Sequence, residues 1–338
     1  MKNEKKERKT ARQKAVAGSP SFTKFMLTVI DELRLEERFG TVHVYTFAFR
    51  ALTHFAGGGE ILFDALSRQM LKRFENHLRD RQCSWNTVST YVRALRAVYN
   101  RAVDSGIIPG EYRLFSALYT SSESERKRAL SAEQMRVLML AGTNTPNLPE
   151  DVRQSGMLLS LMLYLHGMPF ADLIHLHRDD LYTDSSGRTT LKCHRQKTGT
   201  VLKVTVTDEA LELIRHFRST NPDSPYLLNL LDGRYKGEAA YREYCHHLRN
   251  LNHNLSKLSV SCRLEGVRVS SYTARHTWAT LAKFCQVPEE VISEGLGHSS
   301  LEVTRTYLKS FEDGESDEAG RLIINYIFTG VKAVWNRA

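Results

Sequence analysis

The chain has 338 residues, 41% of them hydrophobic, and a formal net charge of +9, as expected for a globular protein large enough to bury two cores. Its apolar runs, the longest being MLLSLMLYL at 157–165, fall short of the ~20 residues of a transmembrane helix, and the polar N-terminal residues do not resemble a secretory signal. The five cysteines are scattered without CxxC or Cys/His spacing, so we expect reduced thiols, no disulfide framework and no metal site.

Residues 1–20 form a basic tail. Positions 1–14 alone hold seven Lys or Arg and two Glu, about +5 of the net charge. We expect this tail to be disordered on its own. Lys and Arg contacts to phosphates release counterions, so the tail suits a nucleic-acid partner. A solvated tail that only aids solubility is the alternative.

Residues 21–118 have the pattern of a small helical bundle. Apolar residues of SFTKFMLTVIDELRLEERF recur at helical spacing, and three further helical segments follow. The last segment begins near Ser84 and carries three arginines. Short polar side chains at a helix start, followed by arginines, suit contacts to phosphates, although a solvated amphipathic helix explains the same pattern. The candidate DNA-contacting residues are Arg93, Arg96 and Arg101.

A hydrophilic linker at 119–130 separates this bundle from a second block, residues 131–315. The second block starts with SAEQ, a capping box for a new helix. Its segment TTLKCHRQKTGTVLKVTVT, residues 189–207, predicts two strands around a Lys-Thr-Gly turn. Helical segments surround this hairpin without the βαβ rhythm of a nucleotide-binding sheet. The expected fold is therefore mainly α with a small β-hairpin, an α+β arrangement.

The stretch GLGHSSLEVTRTYLKSF, residues 295–311, places a histidine and a tyrosine around a helix start. SSLE is a capping box, so His298 lies just outside the helix and Tyr307 lies two turns inside it. The N-terminus of a helix is an anion site. Upstream, Arg275 lies early in another helix, and short connections join the two segments. These three side chains can therefore converge on one phosphate.

The run TARHTWAT…GLGHSSLEVTRTYL resembles the C-terminal signature of the tyrosine recombinase, or phage integrase, family. That signature has an arginine followed by His-Thr/Ser-x-Ala-Thr, then Leu-Gly-His, and a tyrosine nine residues after that histidine. The turn RQKTGT resembles the lysine-bearing hairpin of the family, with Lys197 as the lysine. The first block resembles the SAM-like helical core-binding domain. The resemblance extends over about residues 20–315.

The resemblance implies a role for each matched residue. Tyr307 would attack the scissile phosphate and form a 3′-phosphotyrosine, with a free 5′ hydroxyl. Arg275 would clamp the non-bridging oxygens, and His298 would contact the phosphate or assist the tyrosine proton. Lys197 would be the general acid on the leaving 5′ oxygen. Neither a metal ion nor a nucleotide cofactor is implied.

Two positions depart from the family pattern. Tyr272 stands where the family usually has a histidine, three residues before Arg275, and a phenol can donate a hydrogen bond but is a poor base at neutral pH. In GMPFADL, Pro169 stands in place of the first catalytic arginine and Asp172 in place of a glutamate. Proline offers no donor. This form resembles a subset of the family typical of Bacteroidetes elements.

An active enzyme with Pro169 needs a cation from elsewhere. Arg153 is the first candidate, since it lies early in the helix that leads to Gly167, although a solvated helix-start residue is an equal reading. His166 and Arg178 are weaker candidates.

The main functional expectation is a site-specific recombinase that integrates, excises or inverts DNA. Its implied partners are double-stranded DNA, three further copies of the chain in a homotetramer, and accessory DNA-bending proteins, with no membrane partner. Residues 316–338 form an apolar helix that we expect to dock on a neighbouring subunit, folding back on its own domain being the alternative. The expected location is the bacterial cytoplasm, at the nucleoid. The alternatives are a DNA-binding relative that has lost cleavage, with Pro169 as the lesion, and a type IB topoisomerase-like enzyme.

Overall fold

The chain divides into two compact units, residues 1–125 and residues 126–338, in a computed structural model. Each unit has its own hydrophobic core. Most of the predicted basic tail and part of the predicted linker lie outside the described residues. The residues that the structure describes are 19–111, 113–121, 129–144, 147–264, 266–297 and 315–332.

The described part of the first unit is helical, as the apolar spacing predicts. Serine side chains cap three of its helices: Ser21 accepts from the Lys24 amide at 3.2 Å, and Ser67 and Ser84 make equivalent contacts. The apolar face of each helix is buried in one core. The helices are α1 (Phe22–Leu35), α2 (Phe39–Phe55), α3 (Arg68–Asp80) and α4 (Trp85–Asp104), with a 3-10 turn at Phe63–Ala65.

A buried carboxylate fixes the chain that follows α4. Glu75 of α3 is 1% exposed, and its carboxylate accepts a hydrogen bond from the Tyr119 amide at 2.6 Å. Its other oxygen pairs with Lys72, one turn earlier, whose side chain is 51% exposed. The Tyr119 ring also lies 4.8 Å from the Trp85 ring. The segment before the linker is therefore attached to the bundle by one acid and one aromatic contact.

The second unit packs helices around α6 and a small sheet. The predicted capping box is present, since Ser131 accepts from the Gln134 amide at 3.1 Å and Gln134 accepts from the Ser131 amide at 3.0 Å. Its helices are α5 (Ala132–Asn144), α6 (Glu150–Tyr164), α7 (Phe170–Ile174), α8 (Asp208–Phe217), α9 (Gly237–Ser261), α10 (Thr273–Phe284), α11 (Glu289–Leu296) and α12 (Glu315–Thr329). The mainly helical α+β fold is confirmed.

The sheet has three antiparallel strands in the order β1 (Leu181–Thr183), β2 (Thr189–His194) and β3 (Val201–Thr205). Leu191 lies opposite Leu181 on one side and Val204 on the other. The sequence predicts β2 and β3 but misses β1, because three residues are too short to show an alternating pattern. The β2–β3 turn carries the RQKTGT motif.

The C-terminal helix α12 packs against its own unit. Ala319, Ile323 and Ile327 are almost completely buried in the second core. Asp317 accepts from the Thr205 amide of β3 at 2.9 Å. The apolar face that we expect to dock on a neighbour is thus covered by its own unit in this single chain, and docking on a neighbour stays a prediction.

Two further classes of feature are absent from the part of the chain that the structure describes. No helix there combines the length and the apolar character needed to cross a membrane. No group of three or more His, Cys, Asp or Glu side chains there is arranged to hold a metal ion.

Candidate active site

Arg275 is buried at the start of α10 and held by two backbone carbonyls. It is 9% exposed, and its Nη1 and Nη2 donate to the carbonyls of Gly167 at 3.3 Å and Leu296 at 2.6 Å. Gly167 has φ +68°, and a Cβ there would lie 2.8 Å from the Arg275 Cα. Only glycine therefore allows the chain after α6 to approach Arg275 this closely.

A second arginine, Arg195, lies beside Arg275. It follows β2 directly and is also 9% exposed. Its Nη1 donates to the carbonyls of Leu296 at 2.7 Å and Gly297 at 2.9 Å. Because one carbonyl oxygen of Leu296 accepts from both arginines, the two guanidinium groups are neighbours.

Asp172 of α7 orients Arg195. Its carboxylate is 4% exposed and accepts from Arg195 Nε at 2.8 Å and from the Gln196 amide at 2.8 Å. The family pattern has a glutamate at this position. Here the carboxylate fixes both the side chain of Arg195 and the backbone that follows it.

The cluster of Arg195, Arg275 and Asp172 carries an excess of positive charge. Burial and, to a smaller extent, the positive charge of Arg195 lower the pKa of Arg275 to about 10, against the opposing effect of Asp172. Arg275 remains protonated at neutral pH. Two buried cations around one carboxylate are costly in the absence of a further anion. The arrangement is therefore suited to binding an anion such as a phosphodiester.

Lys197 lies on the turn that leaves this cluster. It is exposed, two residues after Arg195. The Arg195 amide donates to the Thr200 carbonyl at 2.9 Å, and the Gly199 amide donates to the Arg195 carbonyl at 2.8 Å. Gly199 closes the turn with φ +69°, a conformation that favours glycine. The turn holds Lys197 close in sequence and space to the buried cluster.

The other residues of the predicted signature divide into described and undescribed ones. Tyr272 precedes α10 and is 54% exposed. It lies near enough to Arg275 to raise the pKa of that arginine slightly. His298 and Tyr307 lie outside the described residues. In the sequence, His298 directly follows Gly297, whose carbonyl accepts from Arg195.

The structure does not bring Arg153 to the cluster. Arg153 pairs with Glu150, its Nε lying 3.0 Å from the carboxylate, in the first turn of α6. Gly167 follows the opposite end of that helix, and the helix rises ~16 Å over the eleven steps from Arg153 to Tyr164. The expectation that Arg153 approaches the pocket is wrong. The helix that starts near Arg153 does lead to Gly167, but its length separates the two residues.

The two weaker candidates are also engaged elsewhere. Arg178 donates to the backbone carbonyls of Ser219 and Asn221. His166 is 3% exposed and stacks on Trp278, with ring centroids 5.4 Å apart. Burial lowers the pKa of His166 to about 4, although Asp317 opposes this, so the ring is neutral at pH 7. Neither residue adds a cation beside Arg275.

Sequence reasoning missed Arg195. The resemblance of RQKTGT to the family hairpin draws attention to its lysine alone, although the arginine two residues earlier directly follows a strand. A charged residue at that point, together with the buried acid of GMPFADL, is the available signal. The contact itself joins residues 23 positions apart, which no local pattern reveals.

In the first unit, the three candidate DNA-contacting arginines differ. Arg93 and Arg96 are exposed on α4. Arg93 also donates through Nε to the Ser89 carbonyl at 3.3 Å. Arg101 instead pairs with Glu32 of α1. The side chain of Arg101 is still 43% exposed, so what distinguishes it from Arg93 and Arg96 is its ion pair.

Comparisons with known proteins agree with these features. Residues 128–313 match the model of the phage integrase family, and residues 21–115 match the phage integrase SAM-like domain. Tyrosine recombinase XerA of Thermococcus kodakarensis is 26% identical over 271 residues, covering 80% of this chain and 84% of the relative.

Two solved structures share the fold. The integrase of the Tn1549 transposon, in complex with transposon right-end DNA, has a TM-score of 0.57 at 15% identity and covers 90% of this chain and 99% of that one. The lambda integrase tetramer bound to a Holliday junction has a TM-score of 0.55 at 15% identity and covers 91% of this chain and 89% of that one. The family match spans more than half of the chain, and the chain therefore belongs to the phage integrase family, the tyrosine-type site-specific recombinases that cleave and rejoin DNA.

Proposed function

We propose that this recombinase cleaves DNA with Tyr307 as the nucleophile and Arg275, His298 and Lys197 as its partners. The observation that supports this most directly is the buried guanidinium of Arg275, held by the Gly167 and Leu296 carbonyls. Leu296, whose carbonyl accepts from Arg275, lies two residues before His298 in the sequence, and Tyr307 falls inside the matched family region.

The reaction is a transfer of the phosphodiester to the protein and back. The Tyr307 oxygen bonds to phosphorus, the bond from phosphorus to the 5′ oxygen breaks, and that oxygen takes a proton from Lys197. Arg275 neutralises charge on the non-bridging oxygens as the pentavalent transition state forms. His298 contacts the phosphate or takes the tyrosine proton, and Tyr272 donates a further hydrogen bond. The second strand reverses the sequence by attacking the phosphotyrosine.

The proposed partners are double-stranded DNA, contacted in part by Arg93 and Arg96, and other copies of this chain. The solved tetramer of lambda integrase on a Holliday junction supports a homotetramer as the working form. Trans docking of α12 in such a tetramer requires release of Ala319, Ile323 and Ile327 from their own unit. Accessory DNA-bending proteins and a place at the bacterial nucleoid in the cytoplasm belong to this proposal.

The test begins by finding the DNA site. The full chain is expressed in cells that carry the DNA flanking its own gene, and new junctions are sequenced. A nicked duplex spanning the crossover then traps the covalent complex. Tyr307→Phe removes only the hydroxyl, so we expect DNA binding to persist and the denaturant-resistant adduct to vanish.

The same experiment separates the alternatives. An adduct that survives Tyr307→Phe would show that another residue is the nucleophile. Binding without any adduct from the parent protein would favour a cleavage-deficient relative. Relaxation of supercoiled DNA without new junctions would favour topoisomerase activity.

A further inference from the structure

We propose that Arg195 is a catalytic residue that contacts the scissile phosphate as the second guanidinium of the site. It supplies the positive charge that the family pattern places at position 169, where this chain has proline. The inference rests on the proposed phosphotyrosine chemistry and adds a residue that the family signature does not contain.

The hydrogen-bond donors of the two arginines support a role beyond structure. A guanidinium has five N–H donors. Within the described residues, Arg195 uses three of them, on Asp172, Leu296 and Gly297. Arg275 uses two, on Gly167 and Leu296. The remaining donors of both side chains are those available to the oxygens of a phosphodiester, which accept bidentate contacts from arginine.

Charge leads to the same conclusion. A purely structural Arg195 would be balanced by Asp172 alone, as a buried ion pair. Arg275 adds a second cation that shares the Leu296 carbonyl with Arg195, so the cluster contains one positive charge more than it can neutralise. A phosphate at this point balances that charge. Because donors and charge are set before DNA arrives, the site is preorganised for the transition state.

The position of Arg195 on the chain explains how the proline is tolerated. Pro169 precedes α7, and its carbonyl accepts from the amides of Asp172 and Leu173. The helix so started presents Asp172 to Arg195. The segment with Pro169 in place of the family arginine therefore still contributes to the site, because its Asp172 holds Arg195 of the hairpin.

The test measures the rate of adduct formation on the nicked crossover duplex with the full chain. Arg195→Ala should form the adduct about 10²–10³-fold more slowly than the parent while still binding DNA. Arg195→Lys keeps the charge and serves as the folded variant if the alanine variant unfolds. The rate of adduct formation by Arg195→Lys should lie between those of the parent and Arg195→Ala, because an ammonium group cannot reproduce the two parallel N–H donors of a guanidinium. Arg136→Ala is the matched control and should cleave at the parental rate, because Arg136 is a partly exposed arginine of the same unit that pairs with Glu133.

A methylphosphonate at the scissile position separates catalysis from structure. Replacing a non-bridging oxygen by methyl removes the negative charge that Arg195 would neutralise. The defect of Arg195→Ala should then shrink about tenfold or more, whereas Lys197→Ala, which acts on the leaving oxygen, should keep its defect.

Several results would overturn the proposal. Parental cleavage by Arg195→Ala would do so, as would an equal defect on phosphate and methylphosphonate DNA. So would an Arg153→Ala variant that loses cleavage a hundredfold while Arg195→Ala does not. Activation of an otherwise inert protein by Pro169→Arg would favour a decayed enzyme. Failure of the underlying chemistry gives a different pattern, an adduct that persists in Tyr307→Phe.

Discussion

Among the described residues each unit buries one carboxylate, and the two carboxylates have different surroundings. Glu75 in the helical unit accepts one backbone amide and pairs with one lysine, so its charge is balanced. Asp172 in the second unit lies beside two arginines that retain unengaged donors within the described structure. Burial of a charge is therefore not by itself a sign of function. The signs are an unbalanced charge and donors without an acceptor among the described residues.

The largest effect should come from removing the charge of Asp172. Asp172→Asn leaves two buried guanidinium groups without a counter-ion and places an amide donor against other donors. We expect the free energy of unfolding of the second unit to fall by about 3–5 kcal/mol, measured by urea denaturation. Covalent adduct formation should fall at least a hundredfold or so at a temperature where the variant is folded.

Asp179→Asn is the matched control for this change. Asp179 is exposed in the same unit, and its substitution should leave both measurements unchanged. If Asp172→Asn has the parental free energy of unfolding and the parental rate of adduct formation, Asp172 does not differ from Glu75 in the way described.

The buried histidine His166 provides the next largest effect. Its folded pKa of about 4 lies below the ordinary value of 6.5. The unfolded chain therefore takes up a proton first as the pH falls, and stability present above pH 6.5 is lost between pH 6.5 and 4. At pH 4.5 this titration lowers the free energy of unfolding by about 2–3 kcal/mol relative to pH 7.

Urea unfolding at pH 7 and at pH 4.5 measures this loss in the free energy of unfolding. His166→Asn should show a smaller loss between the two pH values than the parent, and the exposed His253→Asn should show the parental loss. Equal losses in the parent and in His166→Asn would mean that His166 is not the buried neutral group described.

Glu75→Gln should have a smaller effect, confined to stability. The substitution removes the charge that Lys72 and the Tyr119 amide contact, and we expect unfolding of the first unit to become about 1–3 kcal/mol easier. The rate of adduct formation at saturating DNA should stay parental. Glu60→Gln, at an exposed pair with Lys24, should unfold at the parental urea concentration. A cleavage defect in Glu75→Gln at saturating DNA would contradict the structural role.

The smallest effect concerns the surface arginines of α4. Arg96 is exposed, so Arg96→Ala should weaken DNA binding similarly for all sequences and reduce the salt slope of log affinity by about 1. Arg101 pairs with Glu32, so Arg101→Ala should change the salt slope less. Filter binding between low and moderate salt makes the comparison. Equal slopes for the two variants would show that the ion pair does not withhold Arg101 from DNA.

Local patterns in the sequence predict much of this fold. Apolar spacing predicts the helices, and Ser131 with Gln134 predicts a helix start that the structure contains. The resemblance to the family signature singles out Arg275 and Lys197. Arg195 escapes prediction because its role depends on contacts with Asp172 and Leu296, which are distant in the chain. The failure at Arg153 has the same origin, since proximity along a helix does not translate into proximity in space.

The β2–β3 hairpin also limits how far Lys197 can lie from Arg195. Arg195 is anchored by a carboxylate and two carbonyls, whereas Lys197 follows it by two residues on an exposed turn. Two extended residues span at most ~7 Å, so the backbone of Lys197 cannot lie farther than this from the backbone of Arg195. The backbone hydrogen bonds that close the turn keep Lys197 in the neighbourhood of the arginines. Lengthening the turn by a residue or two between Arg195 and Lys197 would uncouple the two cations without changing either side chain.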